Sequence, residues 1–190
     1  MAELTPLGIA VLALLTEGPM HAYEMYQLLL KRGNDRLVKV RPGSLYHTVE
    51  RLARQELVRA TGTERSGNRP ERTTYELTAE GKQALADRVR SGIETYVNEY
   101  PLFPVVLSEA HTLSEQDALA HFRRRVADLD AWLAKVEEAV VDVKERGIPE
   151  PYWIAADYSR AQLAAEREWL ATLIKRIESK ELSWRHRKNK

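Results

Sequence analysis

Pro42–Gln55 reads PGSLYHTVERLARQ, and its residues separate onto two faces of a helix. Leu45, Val49 and Leu52 recur at four and three residues and form an apolar stripe. Ser44, His47, Arg51 and Arg54 recur at similar spacing on another face, which carries hydrogen-bonding and cationic groups and no large aliphatic one. A short helix fixed to a core by its first face shows the second to a partner, and the major groove of DNA accepts one such helix. The competing reading is a surface helix with an ordinary polar side. The flanking sequence decides between them.

Downstream, Leu57–Thr61 reads as a strand. Arg72–Leu77 reads as another, with Thr73, Tyr75 and Leu77 alternating against Thr74 and Glu76. The loop between them, TGTERSGNRPE, is too polar for a core and too long for a tight hairpin. Upstream, Thr5-Pro6 starts a helix, with Thr5 as cap and Pro6 at its first position. That helix is apolar on nearly every face through Leu15, and Gly18-Pro19 ends it. A second helix is expected from about Met20 to Lys31, closed by Gly33-Asn34-Asp35. Leu37–Val40 reads either as a small strand or as an extended linker. Three helices followed by a basic hairpin are the parts of a winged helix-turn-helix, with the third helix in the major groove and the hairpin tip on backbone or minor groove. The order of these parts weighs more than any single helix or arginine.

Charge supports this. The net charge is only +1, but residues 31–72 hold eleven basic against five acidic side chains. Residues 98–150 lean acidic. A basic module joined to an acidic one fits a nucleic-acid-facing region attached to something else. At 190 residues, 44% of them hydrophobic, the chain suits one domain with a substantial core or two small ones. No apolar run approaches about 18 residues, the length of a membrane span. The apolar N-terminal stretch lacks a basic start and carries Glu3, so it reads as a buried helix and not a signal peptide. With no cysteine, disulfides and cysteine–zinc sites are excluded, and a cytoplasmic location is the default.

A helix opened by Thr78 leads away from the first module and runs to about Tyr96, before a break at Tyr100–Pro104 and a short helix to about His111. Ser114-Glu115-Gln116-Asp117 is a capping signal. After it, Leu119, Phe122, Val126, Leu129, Leu133, Val136, Val140 and Val143 alternate spacings of three and four, a heptad seam ended by Gly147 and Pro149. A last helix is expected from about Tyr158 to Leu182, with Leu163, Trp169, Leu170, Leu173, Ile174 and Ile177 on its apolar side. Two such helices either close on each other or pair with a second copy. The dimer is preferred, since a two-fold pair reads two half-sites. Its expected contacts are Leu119, Phe122, Val126, Leu129, Leu133, Val136, Val140, Leu170, Leu173 and Ile177. The fold class is therefore mainly α. Residues 1–88 form a winged helix-turn-helix with a small β-wing, and 89–185 an all-helical dimerisation domain.

Three blocks resemble the PadR family of bacterial transcriptional regulators in its longer subfamily. They are ALLTEGPMHAYEMYQLL (Ala13–Leu29), RPGSLYHTVERLARQELV (Arg41–Val58) and NRPERTTYELTAEGKQAL (Asn68–Leu85). The C-terminal half matches more loosely, through its helical layout and the run PYW before the last helix. Ala22 stands where family members often have glycine, and Arg54-Gln55-Glu56 stands where they tend to show an acidic residue and a glycine. The resemblance implies a homodimer that binds a palindromic operator, generally as a repressor. Some relatives are released by small aromatic or phenolic compounds or by cationic drugs. It also places Ser44 and Tyr46 at the DNA surface.

Pro42 and Gly43 set the entry of the reading helix, and Ser44 near its N-terminus is a phosphate donor. His47, Thr48 and Arg51 are the candidates for base-edge contact, Arg51 with guanine O6 and N7. Tyr46 suits either a phosphate bond or packing at the core edge. Lys39 and Arg41 are backbone clamps, and Arg65 and Arg69 are wing contacts. Trp132, Trp153 and Trp169 either line an effector pocket or simply pack. The five histidines are scattered, and no zinc-protease, nucleophile-elbow, phosphate-loop or dinucleotide pattern occurs. No enzyme, metal or cofactor is expected. Two other functions use the same fold: an activator or architectural DNA-binding protein, and a winged helix that docks proteins.

Overall fold

The computed structural model describes residues 4–64 and 72–184, without the side chains of 63, 64 and 72. It divides into two compact units, residues 1–98 and 99–190. Helix α4 crosses 88–89, where the sequence suggests the division, and runs to Glu94.

In the first unit α1 (Pro6–Leu15) is capped by Thr5, whose Oγ1 accepts from the Gly8 amide. Val11 and Leu12 are fully buried, as expected for a helix apolar all round. Met20–His21 is not the start of the second helix. It forms strand β1, pairing antiparallel with β3 (Arg72–Leu77) at Met20↔Tyr75 and His21↔Thr74. Two residues are too few to show a period-two pattern, and Met20 at 8% exposure reads equally as a helical core residue. Helix α2 (Ala22–Lys31) follows, buried through Ala22, Met25 and Leu29. Residues 34–36 form a 3-10 turn that Leu37 and Val38 close by donating to Asn34 O, and residues 37–40 form no strand.

Helix α3 (Pro42–Arg54) carries Leu45, Val49 and Leu52 into the core at 0%, 1% and 0% exposure. It ends in a double closure. The Glu56 amide donates to Ala53 O and the Leu57 amide to Leu52 O, each at 3.0 Å. Glu56 sits at φ 60°, in the left-handed region. A glycine there would be unstrained.

Strand β2 (Val58–Glu64) pairs antiparallel with β3, with a bulge between Ala60 and Gly62, so the sheet order is β1-β3-β2. Helix α4 (Ala79–Glu94) is capped by Thr78, whose hydroxyl also donates to Glu56 O at 2.8 Å. A Cβ on Gly81 would lie 2.0 Å from Leu57 O, so only glycine lets α4 lie against the end of α3.

In the second unit α5 (Leu102–Ser108) precedes α6 (Glu115–Glu145) and α7 (Ile154–Glu178). The last two run antiparallel. Pairs Glu115–Lys180, Arg123–Glu178, Arg125–Glu166 and Asp130–Arg167 tie the first half of α6 to the second half of α7 and the turn after it. Leu119, Phe122, Leu129, Leu170, Ile174 and Ile177 form one core cluster within a single chain. Val136 and Val140 are also buried, while Val126, Leu133 and Leu173 are half-buried. The heptad seam is therefore spent largely on the intrachain hairpin. Leu170 and Ile177 at 0% exposure offer no surface to a second copy, which corrects their expected role as dimer contacts.

Candidate nucleic-acid interface

Three helices, with a sheet hairpin after the third, make α3 the helix a groove would receive. Its N-terminus has Arg41 as a cap residue with extended backbone and no side-chain cap bond, and Pro42 opens the first turn. That turn holds no acidic residue, so its amides and dipole favour an anion such as phosphate. Lys39, Arg41 and Ser44 are exposed beside it. Tyr46 is 46% exposed, on the solvent side of α3 and not within the core.

At about 100° per residue, the row directly opposite Leu45, Val49 and Leu52 is Gly43, His47, Glu50 and Arg54. Ser44 and Arg51 lie to one side of that row. His47 and Glu50 side chains are 85% and 59% exposed, with His47 Nδ1 3.8 Å from Glu50 Oε2. Arg54 is exposed. Lys39, Arg41 and Arg54 make no ion pair or side-chain hydrogen bond among the described residues.

Two expected base readers are placed elsewhere. Thr48 is 8% exposed, and its hydroxyl donates 2.8 Å to Ser44 O one turn back. It is a buried residue with its donor already used, not a base-edge contact. Arg51 is half-buried, and its Nη2 donates 2.8 Å to Thr5 Oγ1 at the head of α1. In the free chain it joins α3 to α1. Arg65 and Arg69 lie outside the described residues. Two other cations of the basic stretch are committed within the unit. Arg59 pairs with Glu76 across the sheet, and Arg32 meets Glu17 through both carboxylate oxygens at 2.5 and 2.8 Å. The Arg32 hydrogen bonds hold the Glu17 carboxyl below the usual range, against an opposing desolvation.

Glu50, an acid among cations and neutral donors, shares this outward row. The signal was present in the sequence: Glu50 is three residues after His47 and falls between the core positions Val49 and Leu52.

In the second unit an open cavity of about 510 Å³ is lined by Phe103, Leu107, Leu113 and Phe122, with His121 and Arg125 on its wall. The Arg125 guanidinium lies 3.6 Å from the centre of the Phe103 ring and donates to Glu166 at 2.6 Å. Trp132, Trp153 and Trp169, read as either pocket lining or packing residues, do not line it. Trp132 and Trp169 are 46% and 49% exposed, and Trp153 donates to Ile148 O at 3.1 Å with Lys144 near its face. No group of three potential metal ligands occurs among the described residues. No described helix is long and apolar enough to cross a membrane.

A winged helix with an open, acid-free helix head and a polar outward row is suited to meet the phosphates and grooves of DNA. Residues 11–87 match the model of the PadR-like transcriptional regulator family. The first unit thus resembles the domain shared by PadR-like regulators. Solved structures share the fold. Bacillus subtilis PadR in complex with operator DNA is 18% identical, with TM-score 0.75, covering 89% of this chain and 96% of that one. The same protein in complex with p-coumaric acid is 16% identical, with TM-score 0.73, covering 94% and 98%. A PadR-like transcriptional regulator from Bacillus cereus is 16% identical, with TM-score 0.67, covering 92% and 99%. No curated protein matches by sequence. Residues 11–87 thus match a family of transcriptional regulators, and the solved structures share the winged-helix fold.

Proposed function

We propose that the chain is a cytoplasmic homodimeric repressor of an inverted-repeat operator on double-stranded DNA, with residues 1–88 as the reading domain and 89–185 as the dimerisation domain. The outward row of α3 carries this reading, because its polar groups face away from the core beside an uncapped helix head. Lys39, Arg41, Ser44 and Tyr46 hold the backbone, and His47 reads bases. Arg65 and Arg69 serve as wing contacts.

Dimerisation is supported by the second face of α7. About half a turn round the helix from half-buried Leu163 and buried Leu170, Ile174 and Ile177 lie Ile154, Tyr158, Ala161, Ala165 and Trp169, all exposed. Ile154 and Tyr158 are 58% and 65% exposed. A helix with two apolar faces and one intrachain partner has a face left for a second copy. A small aromatic or phenolic effector is supported by the relative solved with p-coumaric acid and by the C-terminal cavity, whose aromatic wall and Arg125 suit an aromatic carboxylate.

The test is selection of bound fragments from random duplex DNA, with the mass of the complex measured by light scattering. An inverted repeat bound by two chains is expected. A single half-site bound by one chain overturns the dimer, and no salt-sensitive binding to any duplex overturns DNA recognition and leaves the protein-docking alternative. Transcription from a promoter carrying the recovered site separates repression from activation.

A further inference from the structure

We propose that Glu50 is a base-reading residue that selects cytosine in each half-site, with His47 reaching outward beside it. The inference rests on α3 being the major-groove helix. Glu50 lies in the middle of the outward row, 59% exposed, one turn beyond His47 and one turn before Arg54. A carboxylate there faces a polyanion, and every nearby phosphate repels it. It contributes to binding only where a base offers a donor. The major groove offers two, cytosine N4 and adenine N6. An ionised carboxylate has acceptors only. At adenine one oxygen meets the N6 donor while the other confronts the N7 acceptor, whereas cytosine presents no such acceptor beside N4. Glu50 therefore favours cytosine.

His47 completes the pattern. Its Nδ1 is 3.8 Å from the Glu50 carboxylate, so the two side chains reach outward together. An imidazole N–H donates to guanine O6 or N7, and Glu50 accepts from cytosine N4. A donor beside an acceptor finds partners on both G·C and A·T edges, so the choice of cytosine rests on the Glu50 carboxylate, whose two acceptors fit N4 and not the N6–N7 edge. Glu50 also sets a penalty on every wrong sequence, because an unmatched carboxylate stays against phosphate and acceptor atoms. Specificity gained this way costs affinity for random DNA.

The experiment uses the full chain. Duplexes recovered by selection are titrated as such and with each half-site position changed in turn, for wild type, Glu50→Gln and Glu50→Ala. For wild type, one position should require cytosine, with a loss of about 5- to 140-fold on replacement, which corresponds to about 1–3 kcal/mol at 1.4 kcal/mol per tenfold. Glu50→Gln should move the preference there to adenine, since an amide pairs with N6 and N7 together. Glu50→Ala should bind scrambled duplex more tightly than wild type and discriminate less at that one position. If both variants keep the wild-type base preferences and tighten on all duplexes alike, Glu50 is only a solvated charge and the proposal fails. If wild type binds no duplex, the DNA interface itself fails, and the two failures are told apart by that control.

Discussion

Arg51→Ala separates a base reader from a positioning residue. Arg51 Nη2 donates 2.8 Å to Thr5 Oγ1, and the same oxygen accepts from the Gly8 amide at 3.2 Å. A hydroxyl oxygen has two lone pairs, and this one uses both. Removing the guanidinium leaves the helix cap intact and deletes one charge-assisted bond in a half-exposed place. The cost is about 0.5–1.5 kcal/mol, below the value for a buried charged bond because water replaces the donor. Thr5→Ala loses that bond and the cap, a cap being worth about 0.5–2 kcal/mol. A double-mutant cycle should therefore return a coupling of about 0.5–1.5 kcal/mol between two residues 46 positions apart.

The readout matters. All four tryptophans lie at or beyond Trp132, so fluorescence reports the second unit. Amide hydrogen exchange in α1 and α3 reports the first. In binding titrations Arg51→Ala should weaken all duplexes alike, with base preference unchanged. Zero coupling with Thr5, together with lost discrimination at one guanine, would refute this assignment. Arg51 would then leave Thr5 for the bases on binding.

Gly81→Ala places a methyl 2.0 Å from Leu57 O and 2.8 Å from Leu77 Cδ1, so α4 must shift. Hydrogen exchange in the first unit should show a loss of about 1–3 kcal/mol or more, and near-wild-type protection would count against this packing. Glu56→Gly relieves a left-handed residue while Thr78 keeps its bond to the Glu56 carbonyl. Stability should stay level or rise by up to about 1 kcal/mol in denaturant unfolding, and a clear loss would contradict it. Glu17 has its carboxyl lowered by Arg32, so the pair contributes above the ordinary carboxylate range, 4.5, and the contribution is lost as pH falls through the depressed value. With side chains 46% and 44% exposed it is worth about 0.3–1 kcal/mol. Glu17→Gln should therefore destabilise α1 and α2 at neutral pH and converge on wild type in strong acid, and a gap that is constant with pH would exclude the pair as its cause.

The helical core of the first unit was legible because Leu45, Val49 and Leu52 repeat at helical spacing beside clear stops at Gly18-Pro19 and Gly33. The two-residue β1 was not, since its identity comes from Tyr75 and Thr74, more than fifty residues away. The 31-residue α6 was visible as a seam. Whether the seam closes within the chain is a tertiary fact, set by the crossing ion pairs and by Leu170 and Ile177. Of the polar row legible in the sequence, His47 and Arg54 lie on the outward line of α3, while Ser44 and Arg51 sit about 60–80° round the helix from it.

Charge along the chain and charge toward DNA are different quantities. The stretch 31–72 holds eleven cations, yet Arg32, Arg51 and Arg59 are bound to Glu17, Thr5 and Glu76. Lys39, Arg41 and Arg54 remain outward around α3, and Glu50 subtracts one among them. Each phosphate contact adds about 0.9 to the logarithmic salt dependence. A winged helix presenting few net charges on its reading helix thus gains little non-specific affinity from that helix. Affinity then depends on the clamps at its head, on the wing, and on the second half-site that a dimer adds. The row His47–Glu50 is left to discriminate among sequences, and a carboxylate is tolerable there because binding strength is supplied from elsewhere.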